Sequence, residues 1–412
     1  MKNILGAFCA LAVLCMVSLM GVTKADAAGF GLYEWSNRAN GMGGALIALA
    51  DEPSAIAYNP AGMTQLEGTQ TQVGMTLIAP SASLEIGGET YDTAHKVYTP
   101  PHMYLTHQLN DDFWVGFGAY TRFGVGTNYD NDWAGRYNVY KASLESYSLS
   151  PAVAYKINDD WSVGAALDCM YLSFDLRQYT SPLAPTGDSD FHLDNHGWAW
   201  GWNVSTRYEI TDKAAVGLMY RAPQRLVGSG ESKLIDSGLT EDLTMRATLP
   251  GSVSMGFAYK FTDTFRVEVD AIYTNWSDYK KIEYRFGDAT ALQAFGSLSS
   301  DIDSDKYWND VWRYQLGAEW DVADHHTIRA GIVLDESPIQ KGYEDYMLPS
   351  NDRVMYSAGY SYSDSAWSVD LSLMYLDMLG RHIDANLAKG VYDTEISNSH
   401  AWLGGVSFSY AF

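Results

Sequence analysis

The end of the chain alternates with a period of two. Trp402, Gly404, Val406, Phe408, Tyr410 and Phe412 share one side of an extended backbone, and Leu403, Gly405, Ser407, Ser409 and Ala411 share the other. The first side is bulky and aromatic, the second small and mostly polar. A strand with lipid against one face and water or protein against the other needs this division. The pattern recurs with charges added. Trp312, Tyr314, Leu316, Ala318, Trp320 and Val322 oppose Arg313, Gln315, Gly317, Glu319 and Asp321. Phe265, Val267, Val269, Ala271 and Tyr273 oppose Arg266, Glu268 and Asp270. Charges kept to one face, strand after strand, predict an all-β chain: an antiparallel transmembrane β-barrel with a wet or protein-filled lumen.

Strands are predicted at 70–86, 100–109, 112–123, 142–157, 160–178, 196–210, 213–230, 244–261, 264–284, 307–322, 325–337, 352–363, 366–378 and 398–412. That makes a 14-stranded barrel, and an even number returns both ends to one side of the membrane. Closure also leaves no strand edge unpaired in lipid. Two turns are near copies, Asn110-Asp111-Asp112 and Asn158-Asp159-Asp160, and Asn and Asp suit tight turns because their side chains bond local backbone. Long connections are expected near 124–141, 181–195, 231–243, 285–306, 338–351 and 379–397, on the side opposite the short turns.

The amino-terminal end changes the picture. Lys2, the apolar run Ile4–Val22 and the small-x-small site Ala25-Asp26-Ala27 predict an export signal, with Ala28 as first mature residue. Ala39–Met63 is rich in Gly and Ala and reads differently from the strands, which predicts a plug inside the lumen, with a periplasmic tail as the alternative. The expected organisation is a signal peptide over 1–27, a plug over 28–69 and the barrel over 70–412. Losing the signal removes Cys9 and Cys15, so Cys169 has no partner for an intrachain disulfide.

The chain carries 27 Lys+Arg against 50 Asp+Glu, a formal net charge of -23, which argues against binding nucleic acid through phosphates. Aromatic residues make up 14% of the chain, and many fall near strand ends, as interfacial girdles require. Neither a G-x-S-x-G elbow nor an H-E-x-x-H pair is present, so no enzyme is expected. Asp301, Asp303 and Asp305 begin like a calcium loop, but Lys306 stands where Gly is required and Trp312 where Glu is. His192 and His196 lie among Asp190 and Asp194 without a zinc frame. Both read as solvated acidic loops, with calcium bridging the aspartates to lipid phosphates as the alternative at the first; no metal or cofactor is otherwise expected. If the cargo is a carboxylate, an inward cation should meet it. Parity offers Arg221, Arg313 and Arg329, each also suited to pairing with lumen acids such as Glu268 and Glu319.

Several motifs, in order along the chain, resemble one family. Ala28-Gly29-Phe30-Gly31-Leu32-Tyr33-Glu34 and Ala57-Tyr58-Asn59-Pro60-Ala61-Gly62-Met63 look like the plug of the long-chain fatty acid transporter (FadL) family of outer-membrane proteins. Phe123-Gly124, Asp132–Tyr137, Ser150–Asn158, Leu249–Ser254 and Phe408–Phe412 are similar too. The resemblance implies a barrel plugged by its leading segment that moves hydrophobic compounds inward without an energy source. It implies a ligand groove among the external loops, a pocket near the mature amino terminus and sideways release where the third strand bends inward. Phe30 and Leu32 match the segment at that pocket and are candidate ligand contacts. Asn59, Pro60 and Ala61 form the plug signature. Gly116, Gly118 and Gly124 on the third strand are candidates for the lateral gate. The family includes carriers of fatty acids and of aromatic hydrocarbons, and the motifs do not separate them. Expected surroundings are outer-membrane lipid and lipopolysaccharide, with the protein a monomer. The competing readings are a general porin for hydrophilic solutes, which would want an open charged lumen, and an energy-coupled receptor, which would need a larger plug and more strands.

Overall fold

The last strand has the orientation its alternation demands. Trp402 and Phe408 are 50% and 43% exposed on the outer wall, while Leu403 and Ser407 are 4% and 1% exposed inside. The computed structural model describes residues 29–181, 187–287 and 301–412. The expected signal peptide at 1–27 and the expected first mature residue, Ala28, lie outside the described residues.

Fourteen strands close into one antiparallel barrel. They are β1 (Thr69–Ile86), β2 (Pro101–Gln108), β3 (Phe113–Tyr120, resumed at Gly124–Asn128), β4 (Lys141–Lys156), β5 (Trp161–Tyr179), β6 (Asp190–Thr211) and β7 (Ala214–Arg221, resumed at Gln224–Leu234). Then follow β8 (Leu239–Leu249, resumed at Ser252–Lys260), β9 (Phe265–Thr274, resumed at Lys281–Phe286) and β10 (Asp301–Asp305, resumed at Val311–Ala323). The last four are β11 (His326–Asp335), β12 (Arg353–Ser363), β13 (Trp367–Met378) and β14 (Thr394–Ala411). Each strand pairs with the next, and β1 pairs with both β2 and β14, which leaves no edge.

The short turns all lie at the end that holds Thr69 and Ala411, here called the lower end. The two copied turns adopt one geometry. Asn110 Oδ1 accepts from the amides of Asp112 (2.9 Å) and Phe113 (3.0 Å), and Asn158 Oδ1 from those of Asp160 (3.0 Å) and Trp161 (2.9 Å).

At the upper end the strands run further than the sequence pattern predicts. Residues 124–128, 190–195, 231–234, 239–243, 301–305 and 394–397, expected as connections, are hydrogen-bonded strand. The acidic segment at Asp301, Asp303 and Asp305 is therefore not a loop: it pairs with Lys281–Arg285, and Asp303 takes Lys281 at 2.7 Å and Arg285 at 2.8 Å. His192 and His196 likewise stand in β6, where His192 meets Asp175 of β5 at 2.7 Å. Outward charges hid these strands. A ladder that rises out of lipid turns charged residues to the outside and apolar ones to the inside, and so loses the membrane signature.

Residues 33–66 fill the lower lumen as a short helix α1 (Asn37–Gly41), a second turn of helix α2 (Ala55–Tyr58) and a 3-10 segment (Pro60–Gln65). Inward charges of the barrel hold this segment. Asp270 accepts from the amides of Leu46 and Ile47, and Glu268 from those of Ala48 and Leu49. Arg38 joins Asp51 at 2.7 Å and Glu319 at 3.0 Å, and Arg266 spans the same two acids. Buried charges are tolerable when paired in this way. Asn59, Pro60 and Ala61 sit at the centre. The Asn59 amide donates to the carbonyls of Ile47 (2.8 Å) and Thr206 (3.2 Å), while its oxygen accepts from Ala61 (3.2 Å).

Candidate functional site

Five interruptions in the wall lie at one height: Thr121–Phe123 in β3, Ala222-Pro223 in β7, Pro250-Gly251 in β8, 275–280 in β9 and 306–310 in β10. Proline cannot donate to a ladder, which accounts for two of them directly. The inner surface changes character at this height. Below it stand Asp168, Arg221, Asp270 and Arg313; above it stand Leu172, Leu226, Leu243 and Met245. The lumen is thus polar in its lower half and apolar in its upper half.

The boundary is packed with rings. Phe30 is 6% exposed, with its ring centre 4.9 Å from Trp276, 5.3 Å from Tyr279, 5.5 Å from Phe123 and 5.7 Å from Trp308. The segment that carries Phe30 is strapped to the broken part of β3. The Leu32 amide donates to the Arg122 carbonyl (2.8 Å), and the Gly124 amide to the Phe30 carbonyl (3.0 Å). Ser146 supplies what the β3–β4 ladder lacks there, accepting from the Phe123 amide (2.9 Å) and donating to its carbonyl (2.8 Å).

The break in β3 meets a gap on its other side. β2 begins only at Pro101, so β3 beyond Ala119 has no β2 partner. The segment before Pro101 crosses this gap: Tyr98 pairs with Ile78 of β1, and the Ala94 amide reaches the Asn128 carbonyl (2.8 Å). The Tyr98 ring lies over Gly126, where even a methyl group would fall 2.0 Å from it. A cavity of about 410 Å³ runs here. Leu32, Phe123, Leu144, Met355 and Leu403 line its inner end, and it reaches Glu145 and Tyr147, whose side chains lie on the outward face of β4. A smaller cavity of about 30 Å³ lies on the other side of the strap, beside Tyr33, Trp35, Arg122 and Trp276. The two share Gly31, Leu32 and Phe123.

Phe30, Leu32 and Gly124 come together at this junction; a Cβ on Gly124 would lie 2.9 Å from the Leu32 side chain. Gly116 and Gly118 do not join them. Both keep regular strand pairing and face the plug, where a Cβ would meet Ile56 at 2.7 and 2.9 Å. The three arginines face inward and all have partners. Arg221 donates to Asp168 (2.6 Å), Tyr120 (3.1 Å) and the Ala57 carbonyl (2.8 Å). Arg313 meets Asp335 at 2.7 Å, and Arg329 joins Glu319 at 2.5 Å and Asp370 at 3.3 Å. Sequence reasoning missed Arg122, Tyr98, Trp276 and Trp308. Strand parity within the predicted strand 112–123, two residues on from Tyr120, turns Arg122 inward.

Known proteins share this architecture. The model of a family described as outer membrane protein transport protein (OMPP1/FadL/TodX) matches residues 18–412. The long-chain fatty acid transport protein of Escherichia coli O6:H1 is 26% identical over 441 residues, covering 95% of this chain and 96% of that one. Among solved structures, a Pseudomonas aeruginosa FadL homologue superimposes with a TM-score of 0.82 at 19% identity, over 93% of this chain and 99% of the other. The Pseudomonas putida toluene transporter TodX does so with 0.72 at 18% identity, over 95% and 100%. At such identities these two likenesses show the fold.

Proposed function

This chain belongs to the OMPP1/FadL/TodX family of outer membrane transport proteins, and from that premise we propose that it passes hydrophobic compounds through the upper half of the barrel and releases them sideways into the bilayer. Its relatives and structural neighbours include a long-chain fatty acid transport protein and a toluene transporter, and either cargo is an apolar body that water repels. Each methylene moved from water onto apolar lining gains about 0.8 kcal/mol. An apolar upper lumen therefore collects such a solute without any energy source.

The polar lower half does the opposite. It is filled by the plug and lined by charge, so an apolar molecule that has reached Phe30 gains nothing by continuing down. Phe30 is the proposed occupant of the ligand's place among Trp276, Tyr279 and Trp308, and Leu32 is the proposed gate between that place and the cavity in the wall. Movement of the strap, held by two backbone hydrogen bonds, would open the way to the break at Thr121–Phe123. Of the three glycines considered, the lateral opening is assigned to Gly124 with Gly126, and Gly116 and Gly118 are assigned to plug packing.

The observation that carries this reading is the cavity that joins the strap to outward-facing residues of β4. Filling it is the test. Ala401→Phe places a ring in that space, and uptake of a long-chain probe into cells should fall at least about tenfold, with ligand still quenching tryptophan fluorescence in the upper lumen. Unchanged uptake by the folded variant would remove the sideways route. Large steady ion currents through single wild-type channels would contradict the plugged conduit as a whole.

A further inference from the structure

We infer that the outward faces of β6, β7 and β8 bind a phosphorylated, acylated saccharide of the outer leaflet. Its phosphate lies between Arg225 and Arg246, and its sugar and chains lie against Trp198 and Trp200. The inference goes beyond the transport reading and does not rest on it.

Height comes first. From Tyr208 to Trp198 the outward residues of β6 climb about 33 Å along the strand, which at the usual tilt is about 25 Å, the height of an outer-membrane apolar band. Tyr208 and Trp198 are both exposed and end that band below and above. Arg225 of β7 stands directly across from Trp200, and Val227 stands between Trp198 of β6 and Arg246 of β8. Both arginines are exposed on the outward face. They are diagonal neighbours, about 7–8 Å apart along the wall, so one phosphate can take both guanidinium groups. The Trp198 and Trp200 rings stack beside them, with centres 6.3 Å apart.

Other outward cations of the upper wall have acids. Lys141 meets Asp175 at 2.9 Å, Lys233 meets Glu231 at 2.8 Å, and Lys281 and Arg285 meet Asp303 at 2.7 and 2.8 Å. Glu283 stands across from Arg246 but gives its oxygens to Lys281 at 3.0 Å and Arg285 at 3.3 Å. Among the described residues no carboxylate lies within ion-pair distance of Arg225 or Arg246. An arginine turned toward the edge of the lipid is destabilising when it lacks an anion, and a lipid phosphate offsets that. The whole chain is acidic, with a formal net charge of -23, so any affinity for an anion belongs to this patch and not to the overall field.

Depth is set from both sides. Asp194, Glu231 and Asp242 form one row across the same three strands, two outward rows above Trp198, and repel a phosphate that rises too far. Below the arginines, Leu218 and Tyr220 are exposed for the acyl chains. The strands β4, β5 and β6 separate this surface from the break in β3, so a lipid held here leaves the proposed exit open.

The test uses the full-length protein in detergent micelles and two probes that differ only in phosphate: bis-phosphorylated lipid A, and the same lipid A stripped of its phosphates. Native mass spectrometry counts the bound lipid. Wild type should bind the phosphorylated probe about tenfold more tightly or better, since hydrogen bonds to a charged group exceed neutral ones. Arg225→Gln with Arg246→Gln should bring the two affinities within about twofold, and each single variant should lose part of the preference. Lys141→Gln with Lys233→Gln removes two paired outward cations and should keep it. Heat-modifiable gel mobility checks that each variant is folded. Equal wild-type affinity for both probes, or a double arginine variant that keeps the preference, would overturn the assignment. Displacement of the lipid by millimolar inorganic phosphate would show a site for free anions and would overturn the lipid as occupant.

Discussion

The two halves of the barrel solve opposite problems with the same strands. In β6 the lower inward positions Asn203, Ser205 and Arg207 are buried and polar, and the outward ones are Trp202 and Val204. Further up the same strand Phe191 and Leu193 are buried inside, while Asp190, His192 and Asp194 face out. The lower half faces lipid and holds a plug, so it needs apolar residues outside and hydrogen-bonding groups inside. The upper end rises into water and, on the proposed function, receives an apolar solute, so its polarity is reversed. The five wall interruptions mark the height where the inner surface changes; the outward apolar face continues past them to Trp200, Trp198 and Val227 before the charges at Asp194 and His192. A conduit for apolar molecules needs both: a region that attracts them, and a sealed one that turns them aside.

The largest way to break this comparison is in the lower half. Glu319 is 5% exposed and holds Arg38, Arg266 and Arg329 at once. Glu319→Gln leaves those cations short of their partner, and the plug should be destabilised by about 3–5 kcal/mol. The expected readout is a lower melting temperature together with flickering ion currents, as plug movement opens the lumen. A silent, equally stable variant would show that plug retention does not depend on this cluster.

How much of this was legible in the sequence follows from what alternation encodes. The outward aromatics of β14, the Asn110 and Asn158 turns and the inward faces of Arg313 and Glu319 were all readable, because each depends on neighbours in the chain. The reversal of polarity was not. A period of two separates the faces of a strand but does not state which face is inside, so Asp190–Asp194 and Asp301–Asp305 read as acidic loop. The breaks at Pro223 and Pro250 carry a local signal in proline's missing donor. The break at Thr121–Phe123 carries none in its own residues, since it goes with the late start of β2 at Pro101 and with a strap from residues 29–32. Arg122 stands in the middle of it and was passed over.

A smaller effect belongs to the upper half. Leu243 is 2% exposed on the apolar inner wall. Leu243→Asp puts a charge where the cargo must lie, and uptake should drop about a hundredfold while the lower barrel stays folded. If uptake survives with the variant properly inserted, the apolar lining is not the route.

Smallest is the effect at the wall itself. Tyr98→Ala removes the ring that covers Gly126 and should raise the rate of release into lipid vesicles a few-fold, with equilibrium binding little changed. Slower release would mean that Tyr98 guides the cargo rather than shuts it in.

The most direct measurement is a structure of the protein with a long-chain carboxylate bearing a terminal bromine, located by anomalous scattering. Bromine density should lie in the apolar upper lumen or in the cavity beside Thr121–Phe123, never below Phe30. Density in the lower lumen among Arg38, Arg266 and Glu319 would contradict the sideways path, because the cargo would then be passing through the plug.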